Sequence, residues 1–215
     1  MAKTNFVVWL GHASFRVEGS RIIYFDPWEV SGPSADLIFI THDHYDHCDP
    51  LTIKTLCGPA TRLVTEPAAA ILLRQAGFDA ANLTVLEPGA SLELDGVGIK
   101  AVPAYNLDKD FHPRARNYLG FVITLDDWSL YHAGDTDFIE EIKDIRVQIA
   151  LLPVSGTFVM TAAEAARAAR ALAPEVAIPM HYGKIVGNEE MAWQFAKALK
   201  DQVTVEIKPS PGGLK

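Results

Sequence analysis

The sequence has 215 residues, of which 49% are hydrophobic and 21% are charged. This apolar content is enough to build a core, and it excludes a disordered chain, a collagen-like repeat and a charged coiled coil. The formal net charge of −8, with 19 Lys and Arg and no basic run of five, excludes the electrostatic footprint of a nucleic-acid-binding protein.

The composition and charge also predict the class of partner. A small anionic substrate stays open, because two or three local cations are enough to bind one anion. No apolar run approaches the roughly 20 residues that a membrane span needs, and the first residues carry no cleavable signal pattern. We therefore expect a soluble, cytoplasmic protein with a small-molecule substrate, no nucleic-acid partner and no membrane span. Assembly into a homo-oligomer is left open.

Strand-forming residues dominate the first 40 positions. Four strands are predicted there, over residues 6–10, 14–17, 22–25 and 36–40. Asp49-Pro50 is typical of an N-cap and first helical residue, and this helix is predicted to end at Gly58. A second helix is predicted from Pro67 to Gly77, with Pro near its start and Gly at its end.

The second half of the chain repeats this alternation. Strands are predicted over residues 84–86, 91–94, 98–102, 118–125, 129–132, 147–152, 175–180 and 203–207. Thr161 and Glu164 have the spacing of a capping box and open an Ala-rich helix to about Ala173; another helix is predicted over 189–199. The two halves divide near residue 100 without a linker-like composition. We predict two sheets packed face to face with helices outside, in a single domain over 1–215; two domains are the weaker alternative.

Residues 41–47 contain four potential metal ligands in one short segment. His42, His44, Asp46 and His47 follow an apolar strand directly, and imidazole and carboxylate are the ligands that zinc and similar divalent ions use. Four such groups within six residues cannot all reach one ion without severe backbone strain. The segment therefore favours two neighbouring ions, which dinuclear sites hold about 3.5 to 4 Å apart.

The pattern His42-x-His44-x-Asp46-His47 resembles the signature of the metallo-β-lactamase superfamily. Three further motifs fit in order: Phe25-Asp26-Pro27, Ala133-Gly134-Asp135-Thr136 and Ile178-Pro179-Met180-His181-Tyr182-Gly183. The resemblance implies an α+β fold, a four-layer αββα sandwich with two pseudo-symmetric halves. It also implies a dinuclear zinc site between the sheet edges.

Two motifs resemble a compact branch of this superfamily, similar to ascorbate-6-phosphate lactonase. They are Trp9-Leu10-Gly11-His12-Ala13-Ser14 and Val102-Pro103-Ala104-Tyr105-Asn106 with Phe111-His112-Pro113. The resemblance covers roughly residues 5 to 207. It suggests a small ester, lactone or phosphoester as substrate, with a phosphodiester as the runner-up.

This chain departs at one position from the metal-ligand set that the resemblance implies. The first metal would be held by His42, His44 and Asp135; the second by Asp46, His47, His181 and the shared Asp135. Many members add a histidine soon after the middle strand, and here the nearest is His112. We predict His112 as that ligand, the alternative being a residue that lines the cleft or caps the loop.

The implied cofactors are two divalent metal ions. Diiron relatives usually have Glu at the position of His44, so zinc is favoured, although manganese or iron also suits the ligands. Seven further residues are predicted to support the ligands or contact substrate: Asp26, His12, Tyr105, Asn106, Arg114, Tyr182 and Lys184.

Each of these supporting residues has a plainer alternative. Asp26 is predicted to orient a ligating imidazole, or is a turn residue. His12 faces the cleft or stabilises a turn, Arg114 and Lys184 bind an anion or are solvated, and Tyr182 assists at the oxyanion or packs.

The predicted reaction is metal-assisted hydrolysis of a carbonyl or phosphorus centre, with Asp46 accepting the proton of the attacking water. A serine nucleophile at Ser155 is rejected, because no GxSxG motif is present. A metabolite sensor that binds metal without catalysis is the alternative from another class.

Overall fold

Thirteen strands form two sheets in the computed structural model, which describes residues 4–210. The first sheet has six strands in the order of the chain: β1 (Val7–Gly11), β2 (Ser14–Glu18), β3 (Ile22–Phe25), β4 (Ala35–Ile40), β5 (Cys57–Thr65) and β6 (Leu83–Val85). Strands β1 to β3 are antiparallel and β3 to β6 are parallel. The parallel connections carry helices α1 (Pro50–Leu56) and α2 (Pro67–Gln75).

The second sheet has seven strands and, like the first, an antiparallel part followed by a parallel part. In chain order they are β7 (Ser91–Leu94), β8 (Val97–Pro103), β9 (Leu119–Leu125), β10 (Trp128–His132), β11 (Ile149–Pro153), β12 (Val176–Met180) and β13 (Thr204–Val205). Antiparallel pairing over β7 to β10 gives way to parallel pairing over β10 to β13. Helices α3 (Ala162–Leu172) and α4 (Glu189–Ala198) make the last two crossovers.

Strand β4 shows why the layers stack as predicted. Leu37 and Phe39 belong to the core between the sheets, whereas Ile38 and Ile40 pack in a second core with Ile53 of α1. Successive side chains of a strand point to opposite faces. A strand that is buried on both faces therefore reads as the continuous apolar run seen in the sequence. The predicted αββα sandwich is confirmed.

One strand was missed, and two boundaries were misplaced. Helix α1 ends at Leu56 rather than at Gly58, and β5 begins at once with Cys57. The prediction was wrong there because Gly58 and Pro59 interrupt the apolar pattern, and only the end of β5 is buried. The sheets also divide between Val85 and Ser91, not near residue 100.

The topology brings the ends of parallel strands from both sheets to one seam. The backbone N–H of Leu119 donates to Thr41 O, just past β4, at 3.0 Å, and the N–H of His181, just past β12, donates to His12 O at 2.9 Å. These bonds join the first sheet to the second, so the loops that follow β4 and β12 lie side by side.

The longest helix within residues 4–210, α3, has 11 residues, and none in that range has the length and apolar character to cross a membrane. A single domain over 1–215 stays a prediction, and positions 1–3 and 211–215 of that range lie outside the described residues.

Candidate metal centre

Six of the chain's seven histidines gather at the seam between the sheets, with two aspartates among them. They are contributed by separate connections of the fold: the β1–β2 turn, the loop after β4, the loop between β8 and β9, the loop after β10 and the loop after β12. The gathered residues are His12, His42, His44, Asp46, His47, His112, Asp135 and His181.

The first group of donors consists of His42, His44 and His112. One ring nitrogen from each lies within 4.8 Å of the others, and Nε2 of His42 is 3.0 Å from Nδ1 of His44. The loop position of His112, which the spacing alone left uncertain, therefore brings its ring to the two histidines of the 41–47 segment.

The second group consists of His12, Asp46, His47 and His181, whose donor atoms also lie within 4.8 Å of one another. Asp135 lies between the groups. Its Oδ2 is 3.3 Å from Nε2 of His112 and 3.1 Å from Nε2 of His181. Its Oδ1 is 3.4 Å from Nε2 of His47. One carboxylate thus reaches imidazoles of both groups.

Hydrogen bonds behind the site orient two of these rings. Asp26 Oδ2 accepts from the Thr41 hydroxyl at 2.7 Å and from Nδ1–H of His47 at 2.8 Å. Because the hydroxyl proton of Thr41 is given to Asp26, Thr41 Oγ1 accepts from Nδ1–H of His42 at 2.9 Å. When the rings are neutral, as binding to a cation requires, these bonds select the tautomer that leaves Nε2 unprotonated toward the site.

Two further rings, those of His112 and His181, are held in the same manner. Nδ1–H of His112 donates to Asn106 Oδ1 at 3.0 Å, while the Asn106 amide donates to Phe158 O at 2.9 Å. Nδ1 of His181 is 3.0 Å from the Ser155 hydroxyl. Each Nδ1 is therefore engaged outside the site, and each Nε2 faces inward.

Four of the inward atoms test whether a metal fits. Nε2 of His47, His112 and His181 and Oδ1 of Asp135 are buried, and within residues 4–210 none has a hydrogen-bond partner. Buried polar atoms are almost always paired. Lone pairs converging from imidazoles and a carboxylate are the donor set that a divalent cation satisfies, so the residues fit a metal.

In the absence of metal, the pKa values of the site residues shift in opposite directions, and these shifts determine which side chains are charged. Burial lowers the pKa of His42 well below its ordinary value and that of His12 to about 4, so both rings are neutral at pH 7. Burial also acts to lower the pKa of His47, but Asp135 and Asp26 outweigh it and raise the pKa to about 10. Burial opposes ionisation of Asp135, yet the neighbouring imidazoles hold its pKa well below its usual range. The result is a buried ion pair that a divalent cation replaces on binding.

Gly134 lets the loop after β10 approach the loop after β4. Its φ is +64°, and a Cβ there would lie 2.6 Å from Leu119 O and 3.2 Å from the Thr41 side chain. Only glycine fits this position. The close approach sets Asp135 beside the 41–47 segment, which explains the Ala133-Gly134-Asp135 motif in steric terms.

Three residues of the site hold left-handed backbone without being glycine: His12 (φ +51°), Asp26 (φ +42°) and His181 (φ +61°). Each such residue costs about 1–2 kcal/mol. Strain of this kind collects at functional sites, where the surrounding structure holds a side chain in place.

Known proteins match nearly the whole length of this chain. The family model described as "Beta-lactamase superfamily domain" matches residues 7–181. A UPF0173 metal-dependent hydrolase from Thermococcus onnurineus is 34% identical, over 96% of this chain and 96% of that protein. The chain belongs to the metallo-β-lactamase superfamily.

Solved structures agree with this assignment. A candidate metal-dependent hydrolase from Parabacteroides distasonis is similar with a TM-score of 0.83 and 32% identity, covering 94% of this chain and 91% of the other. Igni18, a metallo hydrolase from Ignicoccus hospitalis, is similar with a TM-score of 0.75 and 29% identity, covering 96% and 95%. The chain is thus a metal-dependent hydrolase, like its UPF0173 relatives.

A cavity of about 400 Å³ opens over the candidate metal centre. It is lined by four of the gathered residues, by the carboxylate of Asp43, and by hydrophobic side chains: His44, Asp46, His112 and Asp135, then Tyr45, Phe111, Phe158 and Ile185. A cavity of this size suits a small molecule.

The supporting residues predicted from the sequence lie in different surroundings in the structure. Asp26 and Asn106 bind the Nδ1 atoms of ligand-candidate histidines. His12 is fully buried, so it is not a surface residue, and its Nε2 is 3.0 Å from Asp46 Oδ2. Tyr182 is buried and stacks on Trp9 at 4.7 Å, which corresponds to the packing alternative.

Tyr105, Arg114 and Lys184 do not line the cavity. Tyr105 and Arg114 line a separate surface pocket, where both contact Glu141 at 3.0 Å. Lys184 lies over the Trp28 ring and is 3.3 Å from Glu29.

Sequence reasoning missed Thr41 and Ser155 as supports of ligand-candidate rings. Thr41 was within reach of inference, since it precedes His42 directly and a hydroxyl is a common partner of a ligating imidazole. For Ser155, 26 positions from His181, no sequence signal connects the two.

Proposed function

We propose that this hydrolase binds two divalent cations, with zinc favoured over manganese and iron, and cleaves a small ester, lactone or phosphoester. His42, His44 and His112 would hold one cation and Asp46, His47 and His181 the other. A site rich in imidazole, with no glutamate in the donor groups, supports zinc.

The contacts of Asp135 carry the dinuclear proposal. Its two oxygens reach Nε2 of His112 in the first group and Nε2 of His47 and His181 in the second. A carboxylate is well suited to bridge two cations, because each cation neutralises part of its charge. A single-metal site would leave one of the two donor groups unused.

When bound, the two cations supply Lewis-acid chemistry that lowers the pKa of a water from about 15.7 to about 7 and polarises the substrate oxygen. Asp46 lines the cavity, so its carboxylate can accept the proton of the attacking water and return it to the leaving group. His12 donates to Asp46 Oδ2 and holds that carboxylate in place.

A protein nucleophile is not needed in this proposal. Ser155 is 3.0 Å from Nδ1 of His181, but it is buried and lies outside the cavity lining. Its hydroxyl supports the ring and does not meet substrate. The resemblance to ascorbate-6-phosphate lactonase supports lactone chemistry, and a phosphodiester is the alternative.

The test is turnover and metal content of protein loaded with Zn²⁺, Mn²⁺ or Fe²⁺. p-Nitrophenyl esters, lactones and bis(p-nitrophenyl) phosphate are the probes. We expect about two ions per chain, and Asp135→Ala and His42→Ala should each lose turnover and lower the metal count. Asp144→Ala, an exposed aspartate away from the site, is the matched control.

Two outcomes would contradict the proposal. Full activity in Asp135→Ala or His42→Ala would show that the cluster is not the catalytic centre. Loaded protein that hydrolyses none of the probes, yet binds one metabolite tightly, would instead indicate a non-catalytic sensor.

A further inference from the structure

Apolar side chains from four loops surround the mouth of the cavity. Tyr45, Phe111, Phe158 and Ile185 line it, and three of them are large hydrophobics left open to solvent: Tyr45 is 65%, Phe111 51% and Ile185 49% exposed. Exposed apolar side chains are ordinary when scattered, but a group around a cavity marks a binding surface.

Three of the four are held by aromatic contacts. The rings of Phe111 and Phe158 meet edge to face with centroids 4.6 Å apart, and Tyr45 meets Trp28 edge to face at 5.9 Å. These contacts fix the rings at the mouth without burying them, so an apolar surface remains available to a ligand.

Ile185 is held there at a conformational cost. Its φ is +61°, and a β-branched residue in left-handed backbone is a true outlier. Asparagine or glycine would occupy this position with less strain. The strained backbone presents an apolar side chain where a polar one would fold more easily.

Cations are missing from the lining within the described range 4–210. Of the cations nearby in the sequence, Arg116 is 2.8 Å from Asp43, and Lys184 is 3.3 Å from Glu29. Binding a phosphate monoester or a distal carboxylate normally uses free cationic side chains, and this mouth offers none.

We propose that the part of the substrate remote from the cleaved bond is uncharged and apolar, and that Ile185 and Phe111 select it. This inference rests on the proposed hydrolytic function and narrows its substrate to neutral esters or lactones with an alkyl or aryl group. It argues against a phosphorylated sugar lactone.

The test compares p-nitrophenyl hexanoate with p-nitrophenyl acetate and with mono(p-nitrophenyl) adipate, which carries a carboxylate at the end of an equal chain. With half-exposed walls, each added methylene should raise kcat/KM about twofold, so hexanoate, which is four methylenes longer, should exceed acetate by about 16-fold. The adipate ester should fall below hexanoate by about tenfold or more.

The variant Ile185→Asn tests whether this side chain of the cavity wall selects the apolar part of the substrate. The hexanoate-to-acetate ratio should fall at least threefold, while the melting temperature should stay equal or rise, because asparagine suits the left-handed backbone. A merely structural Ile185 would lower the melting temperature and leave the ratio unchanged, which would overturn its selecting role. Trp193→Ser, at an exposed hydrophobic residue of α4 away from the cavity, should leave the ratio unaltered.

Preference for the adipate ester or for p-nitrophenyl phosphate, lost in Lys184→Met, would overturn the inference. If no ester is turned over above Asp135→Ala, the proposed function fails separately. Binding of N-hexylacetamide against N-methylacetamide to Zn²⁺-loaded protein, followed by NMR shifts, then decides the inference: about tenfold tighter hexyl binding supports it, and equal binding refutes it.

Discussion

Nε2 of His12 lies 3.0 Å from Oδ2 of Asp46, although the two residues belong to different loops 34 positions apart. His12 is fully buried, and burial lowers its pKa to about 4. Its ring is therefore neutral at pH 7 and donates Nε2–H to the carboxylate. Burial acts to raise the pKa of Asp46, but the bond from His12 and the charge of His47 outweigh it and lower that pKa to about 2.

His12→Ala should therefore lower kcat/KM by about 10- to 100-fold and move the acid limb of the pH profile upward, since the pKa of Asp46 rises without its donor. His12→Gln keeps an amide donor and should recover part of both effects. The measurement is kcat/KM against pH with the metal content checked. An unmoved acid limb in His12→Ala would contradict this role.

Thr41→Val should weaken metal binding by about 10- to 100-fold, because it breaks the chain from Asp26 to His42 that sets the ring tautomer. Thr41→Ser keeps the hydroxyl and is the matched control. Competition with a chelator of known zinc affinity measures the difference. Equal affinities in the two variants would show that the hydroxyl is not needed.

His112→Ala should reduce the metal content from about two ions per chain toward one, since it removes a donor of the first group. Arg114→Ala, two positions away but facing Glu141 in a separate pocket, should keep both ions. Elemental analysis after desalting gives the count. Two tightly held ions in His112→Ala would exclude this residue as a ligand.

Metal-free protein should lose stability between pH 7 and pH 4. Burial lowers the pKa values of His12, His42 and His112 below their ordinary 6.5, so the unfolded chain binds more protons in this window and acid favours unfolding. His12 alone, with a pKa of about 4, contributes roughly 3 kcal/mol to that loss.

Neither His47 nor Asp46 cancels this effect. The raised pKa of His47 stabilises the fold fully below pH 6.5 and fades only as the pH rises toward 10. The lowered pKa of Asp46 stabilises the fold above pH 3.8 and fades only in stronger acid. Urea unfolding with a chelator at pH 7, 5.5 and 4 measures the slope, and a flat or rising profile would contradict the prediction.

The 41–47 segment was interpretable without a structure because four metal-binding side chains in one short run have few other uses. Most strands were also predictable, since parallel strands such as β4, β11 and β12 are buried on both faces and are apolar almost throughout. Strand β5 escaped prediction because its first half is exposed and contains Gly58 and Pro59.

The polar segment between β8 and β9 shows more clearly what could not be predicted from the sequence. Its residues looked alike in the sequence as candidates for the site, yet His112 turns inward while Arg114 turns away. Asn106 and Phe158 O bind the His112 ring, and Glu141 holds Arg114. Those partners are 27 or more positions away from the residue they bind, except Asn106, so local pattern carries no information about them.

The sequence by itself determined the kinds of donor available and the order of the motifs, because these are properties of residue type and spacing along the chain. Only the tertiary structure decided that Asp135 lies between two donor groups and that Tyr45, Phe111, Phe158 and Ile185 surround one cavity. The physical reason is that these residues sit on loops of two different sheets, and nothing brings them together until the sheets pack and their strand ends meet.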